Sequence, residues 1–229
     1  MTHTERPVWL ITGAAGTLGQ ALLEQLLESG VECIALDRNE RALNQLHDRL
    51  QAQGLQPPLL VPMDLIGAAP DDHAAVAQAI EAQFGRLDVL VHAAAQFVAL
   101  RPMAHQPVDE WMKILQTGLT GPYLLNQSLM PLLNQTEGSC IAFVNSHYCL
   151  EKAANWGAYG LTQAGRAWMA KALAAEIGPR GPRVLDVDPG PFFSPLRAAA
   201  WPVETAEDLP SARQAAAQLI QRITSPGGE

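Results

Sequence analysis

Val8-Trp9-Leu10-Ile11-Thr12-Gly13-Ala14-Ala15-Gly16-Thr17-Leu18-Gly19 is the stretch from which the fold is read. A short apolar run with β-branched residues meets three glycines spaced three apart, then a helix-forming stretch rich in Leu, Gln and Glu. Gly13 can make a tight turn after a strand. Ala14 and Ala15 are small enough to let a diphosphate approach the backbone. A helix beginning near Gly16 offers unpaired N–H groups and the positive end of its dipole. Gly19 lets that helix pack closely on the strand. A glycine triplet alone commonly just makes turns, but at the first strand–helix junction it predicts a nucleotide-binding α/β unit.

The rest of the chain agrees. Apolar runs recur at Val8–Thr12, Val31–Leu36, Leu59–Met63, Val89–His92, Cys140–Asn145 and Val184–Val187, separated by stretches rich in Ala, Leu, Gln and Glu. Strands alternating with helices imply a parallel sheet covered on both faces. Ser29-Gly30 and Gly178-Pro179 read as helix stops. The expectation is one Rossmann-type, doubly wound α/β domain over residues 1–229, with about six strands. A last helix is expected over about Ala206 to Ile223, and no seventh strand is apparent.

Composition narrows the function. Lys+Arg 15 against Asp+Glu 23 gives a net charge of -8, which disfavours nucleic acid or an anionic membrane as partner. Hydrophobic content of 48% with 17% charged residues suits a globular protein. Cys33, Cys140 and Cys149 lack metal-ligand spacing, so no metal is expected, and their odd number suits a reducing compartment. Residues 1–7 are polar, without an apolar signal core, and no apolar run is long enough to span a bilayer. The protein is expected in the cytoplasm.

Asp37 ends the second strand, near the roughly twenty-residue offset at which an acid meets the adenosine ribose. A carboxylate there accepts hydrogen bonds from the ribose hydroxyls and repels a 2′-phosphate, which favours NAD. Arg38 follows at once and can pair with a 2′-phosphate, which keeps NADP open. Ser146 falls at the C-terminal end of the fifth strand, where open α/β sheets bind ligands. Asn155 is placed to cap a helix that carries Tyr159.

Asn155-Trp156-Gly157-Ala158-Tyr159-Gly160-Leu161-Thr162-Gln163 resembles the catalytic helix of the short-chain dehydrogenases/reductases, and Tyr159 follows Ser146 by the thirteen residues usual there. The resemblance covers about residues 7 to 200. It is nearest a bacterial branch of unassigned oxidoreductases that has Ala-Asn-Trp-Gly-Ala-Tyr and an Arg-Ala-x-Ala-aromatic-Pro stretch, matched by Arg197 to Pro202. It implies hydride transfer between a nicotinamide cofactor and a small carbonyl or alcohol. Tyr159 would pass a proton to or from the substrate oxygen, and Ser146 would orient that oxygen. Gly13, Ala15, Gly16, Leu18, Gly19, Asp37, Arg38, Asp64, Leu65, Ala94, Tyr159, Gln163, Pro189, Gly190 and Ser194 would hold the cofactor. Asp64-Leu65 would touch adenine and Ser194 the nicotinamide carboxamide.

Departures from the family pattern matter as much. Thr17 stands where single-domain members have their middle glycine. His92-Ala93-Ala94-Ala95 replaces Asn-Asn-Ala-Gly, which makes His92 a packing residue rather than a catalyst. The family's lysine lowers the tyrosine pKa and holds the ribose, and an asparagine on the preceding helix supports a water relay. Here Gln163 and Gly118 stand at those positions. An ammonium about 5 Å from a phenolate is worth roughly 3 kcal/mol at an effective dielectric near 20, about two pKa units. Without it Tyr159 should be a poor base at neutral pH. Two readings follow: a working but weak oxidoreductase, or a dinucleotide-binding protein that acts as sensor or subunit. Tyr148-x-x-x-Lys152 matches the catalytic motif literally, but it falls in a loop and is read as coincidence. Phe192, Phe193 and Trp201 suggest an apolar substrate. The helices expected over Pro107–Leu133 and Trp156–Ile177 carry small and apolar residues suited to a homodimer.

Overall fold

A computed structural model describes residues 6–225, so the polar start and the final Pro226 to Glu229 lie outside the described residues. The chain runs β1 (Val8–Thr12), α1 (Thr17–Glu28), β2 (Glu32–Asp37), α2 (Glu40–Ala52), β3 (Leu59–Pro62), α3 (Pro70–Phe84) and β4 (Val89–His92). It continues with α4 (Val108–Leu115), α5 (Gly121–Gln135), β5 (Cys140–Val144), α6 (Tyr148–Glu151), α7 (Gly157–Ile177), β6 (Arg183–Val187), α8 (Pro195–Ala200) and α9 (Ala212–Thr224). The strands form one parallel sheet in the order β3-β2-β1-β4-β5-β6. The order reverses between β1 and β4, and a ligand crevice opens at such a switch point.

Side-chain alternation divides the core into two layers. Trp9, Ile11, Cys33, Ala35, Val91 and Ala142 pack under α1, α2 and α9. Val8, Leu10, Ile34, Leu36, Leu90, Ile141 and Phe143 pack under α3, α5 and α7. Both faces are thus dry, which is why the strands read as nearly continuous apolar runs.

Three local readings are corrected. Helix α9 starts at Ala212 rather than near Ala206, because Ser211 and Gln214 form a capping box directly after Pro210. Asn155 does not cap α7: it is left-handed (φ 71), and Trp156 occupies the cap position with no side-chain bond. The free Ala158 N–H is instead met by Gln106 Oε1 at 2.9 Å. The long helix expected from Pro107 is broken into α4 and α5 by a π-helical turn over Gln116–Thr120. Gly118 lies inside that turn, and a side chain there would come within 2.6 Å of Thr162 Cβ.

The glycine loop is held by contact as much as by conformation. Gly13 has φ +69, and a Cβ on it would sit 2.8 Å from Ala94 Cα. A Cβ on Gly19 would overlap the Gly13 carbonyl oxygen. Gly19→Ala should therefore force α1 away from β1. The expected loss is about 1–3 kcal/mol, read as a lower urea midpoint. An unchanged midpoint would mean that α1 backs away freely.

Candidate active site

One cleft of about 590 Å³ opens along the C-terminal edge of the sheet. Its lining includes Gly13, Ala15, Gly16, Leu18 and Gly19, then Asp37, Arg38, Asp64, Leu65 and Ala94, then Ser146, Tyr159, Gln163, Pro189, Gly190 and Ser194. Every site residue expected from the sequence is on that wall. Phe192 and Trp201 also line it, whereas Phe193 does not.

At the glycine loop, Gly16 precedes α1 with no side-chain cap, and the first turn carries no acid. The N–H groups at that end are free to meet an anion. Asp37 ties this loop to β2: its Oδ2 accepts from Ala15 N at 3.0 Å, and its Oδ1 accepts from Asn39 N at 2.9 Å. A carboxylate has about four acceptor positions, so both oxygens keep capacity toward a ribose. Thr12 Oγ1 accepts from the N–H groups of Ala93 and Ala94, each at 3.1 Å. That hydroxyl brings the end of β4 to the loop with no side chain larger than methyl between them. The residues present thus fit a dinucleotide: a capless helix terminus, a cradle that a Cβ would fill, and a carboxylate beyond it.

His92 is buried. It stacks on Phe143 with ring centroids 4.8 Å apart, and its Nε2 bonds Asn126 Oδ1 at 2.8 Å. Burial pulls its pKa down to about 3, so it is neutral at neutral pH and outside the cleft's chemistry.

At the other end of the cleft, Ser146 follows β5, and its backbone N–H donates to Gln163 Oε1 at 3.0 Å. Gln163 Nε2 donates to Thr162 Oγ1 at 3.2 Å. The amide expected to bond a ribose therefore also clamps the serine loop. Cys149 Sγ donates to Ser146 Oγ at 3.5 Å. Tyr159 is buried, with Phe97 edge-on at 5.2 Å and Trp156 tilted at 5.6 Å. Burial raises its pKa, ionisable Cys149 and the Asp188 carboxylate oppose its ionisation further, and the Arg166 charge lowers it. The phenol is protonated at neutral pH, as an acid must be. Ser194 caps α8, its Oγ accepting from Arg197 N at 3.1 Å, which leaves the hydroxyl hydrogen for a ligand. Tyr148, the false motif's tyrosine, instead stacks edge-on against Trp201 at 5.3 Å, and Lys152 is exposed outside the cleft lining.

Two groups that shape this end were not singled out in the sequence: Asp188, which lines the cleft, and Arg166, which is buried outside its lining. Asp188 follows β6, accepting from His147 N at 2.6 Å and from Gly190 N at 2.7 Å. It fixes the Ser146 loop against the Pro189-Gly190 turn. Arg166 is 1% exposed. Its Nε donates to Gly118 O at 2.9 Å, its Nη1 to Val144 O at 3.1 Å and its Nη2 to Ala94 O. The spacing of Arg166, seven after Tyr159 and three after Gln163, was the available clue that all three share a helix face.

The fold and the site define a dinucleotide-binding α/β protein with a serine and a tyrosine at its reacting end. A sequence model of the family described as short chain dehydrogenase matches residues 7–204. The chain belongs to that family. It is 30% identical over 201 residues to the uncharacterized oxidoreductase YciK of Escherichia coli strain K12, covering 87% of this chain and 79% of that one. A Shigella flexneri short chain dehydrogenase solved with NADP is similar in structure at a TM-score of 0.86 and 28% identity, covering 92% of this chain and 87% of that one. An Escherichia coli CFT073 short chain dehydrogenase solved with NADPH reaches 0.90 at 27% identity, covering 97% and 92%.

The buried neutral histidine gives a pH prediction. Unfolded, His92 takes a proton near pH 6.5; folded, it resists until about 3. Its contribution is complete above pH 6.5 and is lost as pH falls toward 3, at about 1.4 kcal/mol per pH unit. His73, also buried and with a lowered pKa, adds a loss of the same sign. Urea midpoints measured across this window should fall less steeply for His92→Gln than for the native protein. Parallel curves would refute the assignment.

Proposed function

We propose that this protein is a nicotinamide-dependent oxidoreductase that reduces an apolar carbonyl compound, with Tyr159 giving the proton and Ser146 orienting the carbonyl oxygen. The observation that carries this reading is the shared cleft: the glycine loop lies at one end and a buried, protonated Tyr159 beside Ser146 at the other. When bound, the dinucleotide supplies the hydride. Gly13, Ala15, Gly16, Leu18 and Gly19 would hold its diphosphate, Asp64 and Leu65 its adenine, and Pro189, Gly190 and Ser194 its carboxamide end. Ala94 would leave room beside it, and Gln163 would keep the Ser146 loop in place and offer a hydrogen to the ribose. Tyr148, Trp156, Phe192 and Trp201 at the reacting end support an apolar substrate. Without a lysine at 163, turnover is expected to be slow. We read the chain as one domain acting in the cytoplasm; among the described residues no helix is long and apolar enough to cross a membrane.

Asp37 supports NAD(H), because a 2′-phosphate would sit against its carboxylate. A second reading, NADP(H), is favoured by the two similar structures solved with NADP and NADPH, and Arg38 would then pair with the phosphate. Calorimetric titration with both pairs decides: NAD(H) should bind more tightly, and Asp37→Ala should narrow the gap. Tighter NADP(H) binding by the native protein establishes the second reading. In a turnover screen over carbonyls and alcohols, Tyr159→Phe should lower kcat/KM about 100-fold or more while dinucleotide affinity stays within a few fold.

We also propose a homodimer through α5 and α7. Leu161, Ala164 and Trp168 are exposed along α7, with Trp168 at 71% exposure. Beside them an apolar groove is lined by Tyr123, Met130, Met169 and Leu173. Gly157, another candidate for close helix approach, instead faces Gln106 of its own chain. Ala164→Glu should turn dimers into monomers in equilibrium sedimentation. A native protein that sediments as a monomer at micromolar concentration would refute the assembly.

A further inference from the structure

Arg166 is a fully buried cation with no carboxylate partner among the described residues. Its three partners are neutral carbonyls from three segments that wall the reacting end: the π turn at Gly118, the end of β5 at Val144 and the chain beyond β4 at Ala94. The Gly118 carbonyl is open to it for a sequence reason. Residue 122 is proline, so the N–H that would bond this carbonyl in an α-helix does not exist. Gly118 also has no side chain, and Gln163, on the same face of α7, has no charge.

We propose that Arg166 is the resident cation of this active site, a positioning residue that stabilises negative charge on the Tyr159 oxygen and anchors the Gly118 turn, in place of the absent lysine and asparagine. The inference rests on the reading of Tyr159 as proton donor. As Tyr159 hands its proton to the substrate oxygen, the electron pair of the broken O–H bond stays on the phenol oxygen, and a fixed positive charge nearby lowers the cost. Arg166 lies on the Tyr159 face of α7, seven residues on, and its guanidinium bonds the carbonyls of Val144 and Ala94, two residues that line the cleft with Tyr159. Among the described residues Asp188 after β6, and Cys149 on α6 once ionised, oppose ionisation of that phenol, and Arg166 favours it. Burial brings the guanidinium down to about 10, which leaves it charged at neutral pH. An arginine suits the place because its planar fork meets three carbonyls at once, where an ammonium is a point charge.

The test is a titration that needs no turnover, so an inactive protein leaves it intact and a phenol that ignores the charge counts against Arg166 alone. A fluorinated tyrosine, whose phenol ionises in an accessible range, is introduced at position 159 and followed by fluorine NMR. Arg166→Gln should raise its midpoint by about one pH unit, and Arg166→Lys should keep most of the native value. A folded Arg166→Gln protein with an unchanged midpoint overturns the proposal. If neither variant folds, the protein with native Arg166 decides. Its Arg166 Nε–H resonance should move with the same midpoint as the fluorine, and a resonance that stays still while the phenol ionises overturns the assignment.

Discussion

The guanidinium of Arg166 joins the carbonyls of Gly118, Val144 and Ala94, and the reacting end of the cleft is built around that junction. Two of these carbonyls lie outside the sheet, on a π turn and on the chain beyond β4, and the third is at the last residue of β5. Burying an unpaired charge costs several kcal/mol. Charge-assisted hydrogen bonds of about 1.5–3 kcal/mol each offset much of that cost. The result is a junction of three segments around the reacting end, made by one side chain from α7.

Two other side chains hold the serine loop beside that junction. Gln163 clamps the backbone of Ser146 instead of bringing charge to the tyrosine. Asp188 holds the same loop from the β6 side through His147 N. The serine loop is therefore fixed from two directions. Tyr159, enclosed by Phe97 and Trp156, keeps its proton because burial outweighs the nearby charges. A protonated phenol is what the proposed carbonyl reduction requires of Tyr159.

At the far end, Asp37 has two tasks. Its carboxylate pins Ala15 and Asn39 while keeping acceptor capacity toward the cleft. The glycine loop, the end of β2 and the start of α2 are thus one mechanical unit. A change at Asp37 also removes the acceptor that holds Ala15 in the glycine loop.

The sequence by itself determined the sheet, its strands to within a residue or two, and the cleft's wall. Those follow from local rules: apolar runs for strands buried on both faces, glycines where backbones touch, and polar residues at strand ends. Gly13, Asp37, Ser146 and Tyr159 each lie at the end of a strand or on the helix that follows, where pattern alone can find them. Local rules failed where partners are distant in the chain. Asn155 looked like a cap, yet Gln106, some fifty residues earlier, serves Ala158. The Pro107–Leu133 stretch looked like one helix, yet Gly118 and Pro122 admit a π turn that Arg166 completes from forty-eight residues away. Only the tertiary structure decided which cation serves the site. An arginine on a helix reads as surface charge until packing buries it, and no periodicity records which three carbonyls will be left open around it.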